Sequence, residues 1–121
     1  MARNTTGHSG EKMVEAVLGF KGFTPLMAPA GNPDWDIMVA ETLKKISVKA
    51  SNSSGFVAEF DTADQFDVLA VVDAFELMYP RVWFIPRYEA LKLAETKGKI
   101  RVNKSDLVGV LAQFEMNMNV L

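Results

Sequence analysis

The sequence predicts an α/β domain layered on a mixed β-sheet. Three observations carry that prediction. Residues 66–72, FDVLAVV, form a continuous apolar run rich in β-branched side chains, as in a central strand covered on both faces. Residues 32–51, NPDWDIMVAETLKKISVKAS, alternate apolar and polar in two short stretches around a polar turn, as in a hairpin. Apolar residues at helical spacing lie before this hairpin and after the last strand. The order helix, strands, helix, helix then implies helices packed on the sheet.

At 121 residues the chain is long enough to bury one core, and it shows no internal repeat, low-complexity tract or boundary. It therefore reads as a single domain over residues 1–121. The net charge of −2 excludes a bulk polycation, so any nucleic-acid contact must come from a local basic patch. Without cysteine there is neither a disulfide framework nor a thiolate metal site. No apolar run approaches the ~20 residues of a membrane span. The opening MARNTTGHSGEK lacks the apolar centre of a secretory signal. The expectation is an intracellular, cytoplasmic protein with no membrane partner.

The first helix is predicted to start at Ser9 as N-cap, with Gly10-Glu11 opening it. Met13, Val14, Val17, Leu18 and Phe20 supply its apolar stripe, and Gly19 and Gly22 end it. Phe23–Met27 reads as the first strand, with Pro25 placing it at an edge. Ala28–Pro33 is a loop. The hairpin follows, then a turn at Asn52–Gly55 and a short strand at Phe56–Phe60. Thr62–Gln65 is a loop or a single helical turn. After the central strand come a strand at Arg81–Ile85, ended by Pro86, and a helix at Arg87–Lys97 with Tyr88, Leu91 and Leu93 inward. Lys99–Val102 is a short strand. Ser105-Asp106 caps a last helix at Leu107–Met116.

The hairpin holds the chemistry. With Glu41–Lys44 as the tip, Ala40 faces Lys45, Met38 faces Ser47 and Asp36 faces Lys49. A two-residue loop at Thr42-Leu43 gives the same register. Ile37, Val39, Ile46 and Val48 then form one apolar face, while Asp36, Ser47 and Lys49 share the other. Asp36 can ligate a hard divalent cation such as Mg²⁺ or Mn²⁺, and Lys49 can hold a phosphate and stabilise developing charge. Glu11 closes the shell if the first helix packs across the hairpin. Such a trio suits phosphodiester hydrolysis. The alternative is a cross-strand Asp36–Lys49 salt bridge on a solvated face.

The motif order resembles the PD-(D/E)XK nuclease superfamily, in particular the small domains related to intron-encoded endonucleases and archaeal Holliday-junction resolvases. Gly7-His8-Ser9-Gly10-Glu11 is similar to the family's Gly-x-x-Gly-Glu helix opening. Gly22-Phe23 and Pro29-Ala30-Gly31-Asn32 resemble its first strand and Gly/Asn-rich loop. Asp36-Ile37-Met38-Val39 matches the strand begun by the metal-binding Asp, and Ile46–Ser51 the strand carrying the catalytic Lys. Residues 66–72 and 82–86 resemble two later core strands, so the likeness covers about residues 7–90. It implies a restriction-endonuclease-like three-layer domain, with a central mixed β-sheet flanked by helices. It also implies a metal-dependent endodeoxyribonuclease acting on DNA. Asp36, Glu11 and the Val48 carbonyl would hold Mg²⁺ (or Mn²⁺), with Lys49 catalytic. The chain departs from the pattern at Ser47, where the family has a second acidic ligand or Gln. Either Glu11 makes up the charge, or metal binding is weak, or the chain is a non-cutting relative that binds DNA or assembles.

Asp34 completes a literal Pro-Asp pair with Pro33 but precedes the apolar alternation by two residues, so Asp36 is favoured. His8 lies within reach of a phosphate near the first helix, and solvent exposure is its plainer reading. Glu59, Asp61, Asp64 and Asp67 form an acidic run suited either to a metal or to an exposed loop. Trp35 suits base stacking or core packing. Lys44, Lys45, Lys92, Lys97, Lys99, Arg101 and Lys104 are the available phosphate contacts. Two strands of duplex DNA call for two active sites, and a homodimer would supply them; the apolar run Leu107–Leu121 offers a surface for it.

Overall fold

The computed structural model describes residues 5–29, 32, 34–53, 58–75, 80–93 and 98–121. Its centre is a mixed five-stranded sheet in the order β1 (Pro25–Met27), β2 (Ile37–Val39), β3 (Lys45–Ser51), β5 (Val68–Asp73), β6 (Arg81–Pro86). β1, β2 and β3 form an antiparallel meander, β3 runs parallel to β5, and β6 returns antiparallel. β4 (Ala58–Asp61) pairs with β7 (Lys99–Val102) in a separate two-stranded sheet. The α/β class and the mixed sheet expected from the sequence are both present.

Every residue of β5 is buried, as its unbroken apolar run requires. Alternate residues feed two cores. Val68, Ala70 and Val72 join Val14 and Leu18 of α1 (Thr5–Phe20), together with Ile37, Val39, Ile46 and Val48. Leu69 and Val71 join Trp83, Ile85, Phe60 and Ile100 on the opposite face. The small sheet covers that second face with α2 (Arg87–Leu91) and α3 (Lys104–Val108). The layers are therefore one helix, the main sheet, and a mixed layer of hairpin and short helices.

Several boundaries differ from the sequence expectation, each for a tertiary reason. α1 begins before Ser9, so Ser9 lies inside the helix and does not cap it. Gly10 is buried against β3, where an added Cβ would meet the Ala50 Cβ at 2.6 Å. The small residues here serve close packing. α1 ends at Phe20, and Gly22 just beyond it takes a φ of 90° that lets the Phe23 amide bond back to the Leu18 carbonyl at 2.9 Å. Phe20, expected in the apolar stripe, is 90% exposed.

The hairpin register differs by two residues. Met38 lies opposite Lys45 and Ile37 opposite Ile46. The four-residue loop spans Ala40–Leu43, one residue earlier than expected, and Val39 and Lys44 close it. One backbone conformation and two hydrogen bonds select it. Leu43 takes φ 62°, and the Glu41 carboxylate accepts bonds from the Thr24 amide and hydroxyl at 2.8 and 2.6 Å. Because the shift is even, the apolar face is unchanged.

The last two helices are also shorter than expected. α2 buries Ala90, while Tyr88 is 65% exposed. α3 is capped by Asn103 in a reciprocal box with Asp106 and stops at Gly109. The chain then makes 3₁₀ turns at Ala112–Phe114 and Met118–Val120 in place of a helix to Met116. These turns carry the chain round the β6 edge, with Phe114 in one core and Leu121 in the other. The Arg81–Glu115 ion pair at 2.7 Å fastens it there.

Candidate functional site

The site is built where β2 stops and β3 continues. Main-chain groups of a strand residue face the same neighbour, and successive residues face opposite ones. The Lys45 and Ser51 carbonyls accept from Asp67 and Ala74 on the β5 side, whereas the Ile46 carbonyl accepts from the Asp36 amide on the β2 side. Val48, two residues after Ile46, therefore turns its amide and carbonyl toward β2's side, beyond the end of β2. Asp36 lies in a bend just before β2 and fills that gap. Its Oδ2 accepts from the Val48 amide at 2.7 Å. One carboxylate edge and one main-chain carbonyl thus border the same opening.

α1 brings the second carboxylate. Gly10 presses on β3, and the ~100° step of the helix turns Glu11 off that contact. The Glu11 carboxyl is raised above its usual value, first by burial and second by the negative charge of Asp36. His8, one turn earlier, and Lys12 partly offset this. Asp36 seated on the Val48 amide, and Glu11 close enough to feel its charge, offer hard carboxylate oxygens, the chemistry that suits Mg²⁺ or Mn²⁺. Among the described residues no three His, Asp or Glu side chains converge, so a third protein ligand there would have to be the Val48 carbonyl.

Ser47 and Lys49 come from the other face. They sit beside Leu69 and Val71 in the parallel ladder, on the side away from α1. Ser47 is only 5% exposed, and Lys49 is half-buried. The directly opposed Asp36–Lys49 pair is not formed, because the register places Lys45, not Ser47, opposite Met38. Among the described residues, no carboxylate lies within 4.0 Å of the Lys49 ammonium. Asp36 is joined to Val48 and its charge acts on Glu11, whereas Lys49 lies on the face of β3 away from α1.

Most other candidates have local partners. Asp34 accepts the Gln65 amide at 3.2 Å, which leaves Asp36 as the acid beside Val48. Glu59 pairs with Arg101 at 2.8 Å, Lys92 with Glu89 at 3.3 Å, and Lys104 with Asp73 at 3.1 Å. Asp61 and Asp64 accept main-chain amides in their own turn. The Asp67 carboxylate accepts the Lys45 amide at 2.9 Å. Trp35 packs against the core. Lys97 lies outside the described residues. Lys44 and Lys45 remain exposed at the hairpin.

Sequence reasoning passed over Arg87. Its guanidinium donates to the carbonyls of Thr62, Asp64 and Phe66 and stacks 4.9 Å from the Phe66 ring centroid. The only signal was an arginine directly after the proline that ends a strand.

Fold and site together define an α/β domain whose mixed sheet holds the Asp36 carboxylate on the Val48 amide, where its charge acts on Glu11 of α1. Compared with known proteins, the chain matches no protein-family model and no curated protein. Among the described residues, no helix is long and apolar enough to cross a membrane.

Proposed function

We propose that the protein is a metal-dependent DNA endonuclease of the restriction-endonuclease-like class. The observation that carries this reading is the Asp36 carboxylate seated on the Val48 amide, with Glu11 near enough for the Asp36 charge to raise its proton affinity. The element order supports it. The resemblance calls for a helix with a Glu, a first strand, an Asp-led second strand, a Lys strand and two core strands. These correspond to α1, β1, β2, β3, β5 and β6, and the five strands lie side by side in that order. Asp36, Glu11 and the Val48 carbonyl would hold Mg²⁺ or Mn²⁺, and their hard oxygens fit it. Such a cation supplies charge neutralisation at the phosphate and a nucleophile at neutral pH.

The side chains divide the remaining work. Lys49 donates hydrogen bonds to a non-bridging phosphate oxygen and offsets its growing charge. Asp36, held by the Val48 amide, keeps its carboxylate at the sheet edge. Two copies of the chain would cut the two strands of a duplex. The test is cleavage of supercoiled plasmid and branched DNA with Mg²⁺ or Mn²⁺. Wild type should cut, and Asp36→Asn and Lys49→Ala should not, with unchanged circular dichroism. Intact DNA of both kinds after wild-type treatment in both metals would sink the reading.

Ser47 favours a second reading, a catalytically inactive nuclease-fold module that binds DNA or assembles. A hydroxyl replaces a carboxylate at a site 95% shielded from solvent, which removes one anionic ligand. DNA retention that ignores both metal and Lys49→Ala would select this reading over the first.

A further inference from the structure

A polar cavity of about 190 Å³ lies at the start of β3, lined by Lys45, Gln65, Phe66, Asp67 and Arg87. It is tied to the carboxylate site by the chain itself. Asp34, two residues before Asp36, accepts the Gln65 amide. Lys45, two residues before Ser47 in β3, belongs to the same alternating row as Ser47 and Lys49. The cavity is rigid on one side. Arg87 is held by three loop carbonyls and stacked on buried Phe66, and the Asp67 main chain bonds to both Lys45 and Arg87.

Its charges are not cancelled internally. Among the described residues, neither Lys45 nor Arg87 forms an ion pair, although Asp67 lines the same cavity. Two cations and one carboxylate leave one net positive charge. A single phosphodiester carries one negative charge and balances it. The Cα atoms of Lys45 and Lys49 lie ~13 Å apart along an extended strand, close to the axial rise of about four nucleotides on one DNA strand.

We infer that the Lys45–Gln65–Arg87 cavity binds a DNA backbone phosphate that flanks the one held at Lys49. The inference rests on the nuclease reading and deepens it by fixing where the substrate strand leaves the site. The phosphate takes its hydrogen bonds from the Lys45 ammonium and from the second hydrogen of the Gln65 side-chain amide, whose Nε2 also donates to the Ala63 carbonyl at 3.1 Å, with the Arg87 charge behind them. Arg87, already committed to carbonyls, acts as a fixed positive wall.

The test is equilibrium binding of a short duplex in EDTA, followed by fluorescence anisotropy across a salt series. Each lost phosphate contact lowers the slope of log K against log salt by about one. Lys45→Ala and Gln65→Glu should each flatten the slope by about that amount. Lys21→Ala, exposed just after α1 and outside the cavity, should leave it unchanged. A wild-type slope retained in Lys45→Ala overturns the inference while leaving the nuclease reading standing. An equal loss in Lys21→Ala also overturns it, since the effect would then follow from net charge and not from the cavity. No salt-dependent binding by wild type removes both readings. Titration with inorganic phosphate distinguishes a free-anion site. If phosphate binding is lost in Lys45→Ala and the DNA slope is not, the cavity serves a small anion and the inference fails.

Discussion

The Asp36 carboxylate accepts a hydrogen bond from the Val48 main-chain amide at 2.7 Å. This bond continues the β2–β3 ladder one step past the end of β2. It gives Asp36 a structural role that any catalytic test must separate from a chemical one. Asp36→Ala leaves the half-buried Val48 amide without its partner and should destabilise the fold by ~1–3 kcal/mol. Asp36→Asn keeps an acceptor oxygen and should lie within about 1 kcal/mol of wild type. Both should lose Mn²⁺ binding by calorimetry. Equal urea midpoints for Asp36→Ala and wild type would show that the bond carries no weight.

Glu11 gives a pH signature. Its folded-state proton affinity is raised by burial and by Asp36, so the folded state favours the protonated form. The stability tied to that proton is fully present below the ordinary glutamate range and is lost as pH rises through the raised value. Glu11→Gln removes the penalty. The variant should match wild type at low pH and become the more stable of the two as pH rises. The gap should level off once Glu11 is ionised in the folded protein. A gap that shrinks toward neutral pH would show that the carboxylate is stabilised, not crowded.

What the sequence could and could not reveal divides along local and tertiary lines. β5 was legible because burial on both faces leaves no place for a polar residue, and Lys99–Val102 forms a strand as expected. The hairpin faces were legible because alternation is intrinsic to the strand. Its register was not, because the turn carries no Asn-Gly signal and is selected by Thr24, seventeen residues before Glu41. A shift of two residues preserves every face and exchanges every facing pair, so the core was read correctly and the Asp36–Lys49 pair was not. Glu11 and Asp36 were legible as candidates through motif order. The Gly10–Ala50 contact that positions Glu11 was not, since it depends on helix placement.

That contact supplies a test with an unusual sign. Glycine within a helix ordinarily costs ~0.5–1 kcal/mol relative to alanine, so Gly10→Ala would normally stabilise. Here the new methyl would sit 2.6 Å from the Ala50 Cβ. Gly10→Ala should therefore destabilise by ~1–3 kcal/mol as α1 is pushed off β3. Adding Ala50→Gly removes the clash and should recover much of the loss. A stabilised single variant, or a double variant no better than the sum of its parts, would show that α1 does not rest on β3 at this point.

The most buried ion pair among the described residues lies at the far end of the sheet, between Asp73 at the end of β5 and Lys104 at the start of α3, 3.1 Å apart. The Asp73 side chain is 8% exposed and also accepts the Phe75 amide at 3.0 Å, while the Lys104 ammonium lies 4.3 Å from the Phe75 ring centroid. Lys104→Met keeps the aliphatic stem against Phe75 but strands a buried carboxylate. Loss of one partner of a buried pair costs ~3–5 kcal/mol, and the retained Phe75 amide places this case near the lower end. Asp73→Asn in the Lys104→Met background removes the stranded charge and should restore part of the loss. Urea unfolding of the three variants checks both steps. If Lys104→Met unfolds at the wild-type midpoint, the pair does not fasten α3 to the sheet, and the core contacts of Leu107 must hold that helix alone.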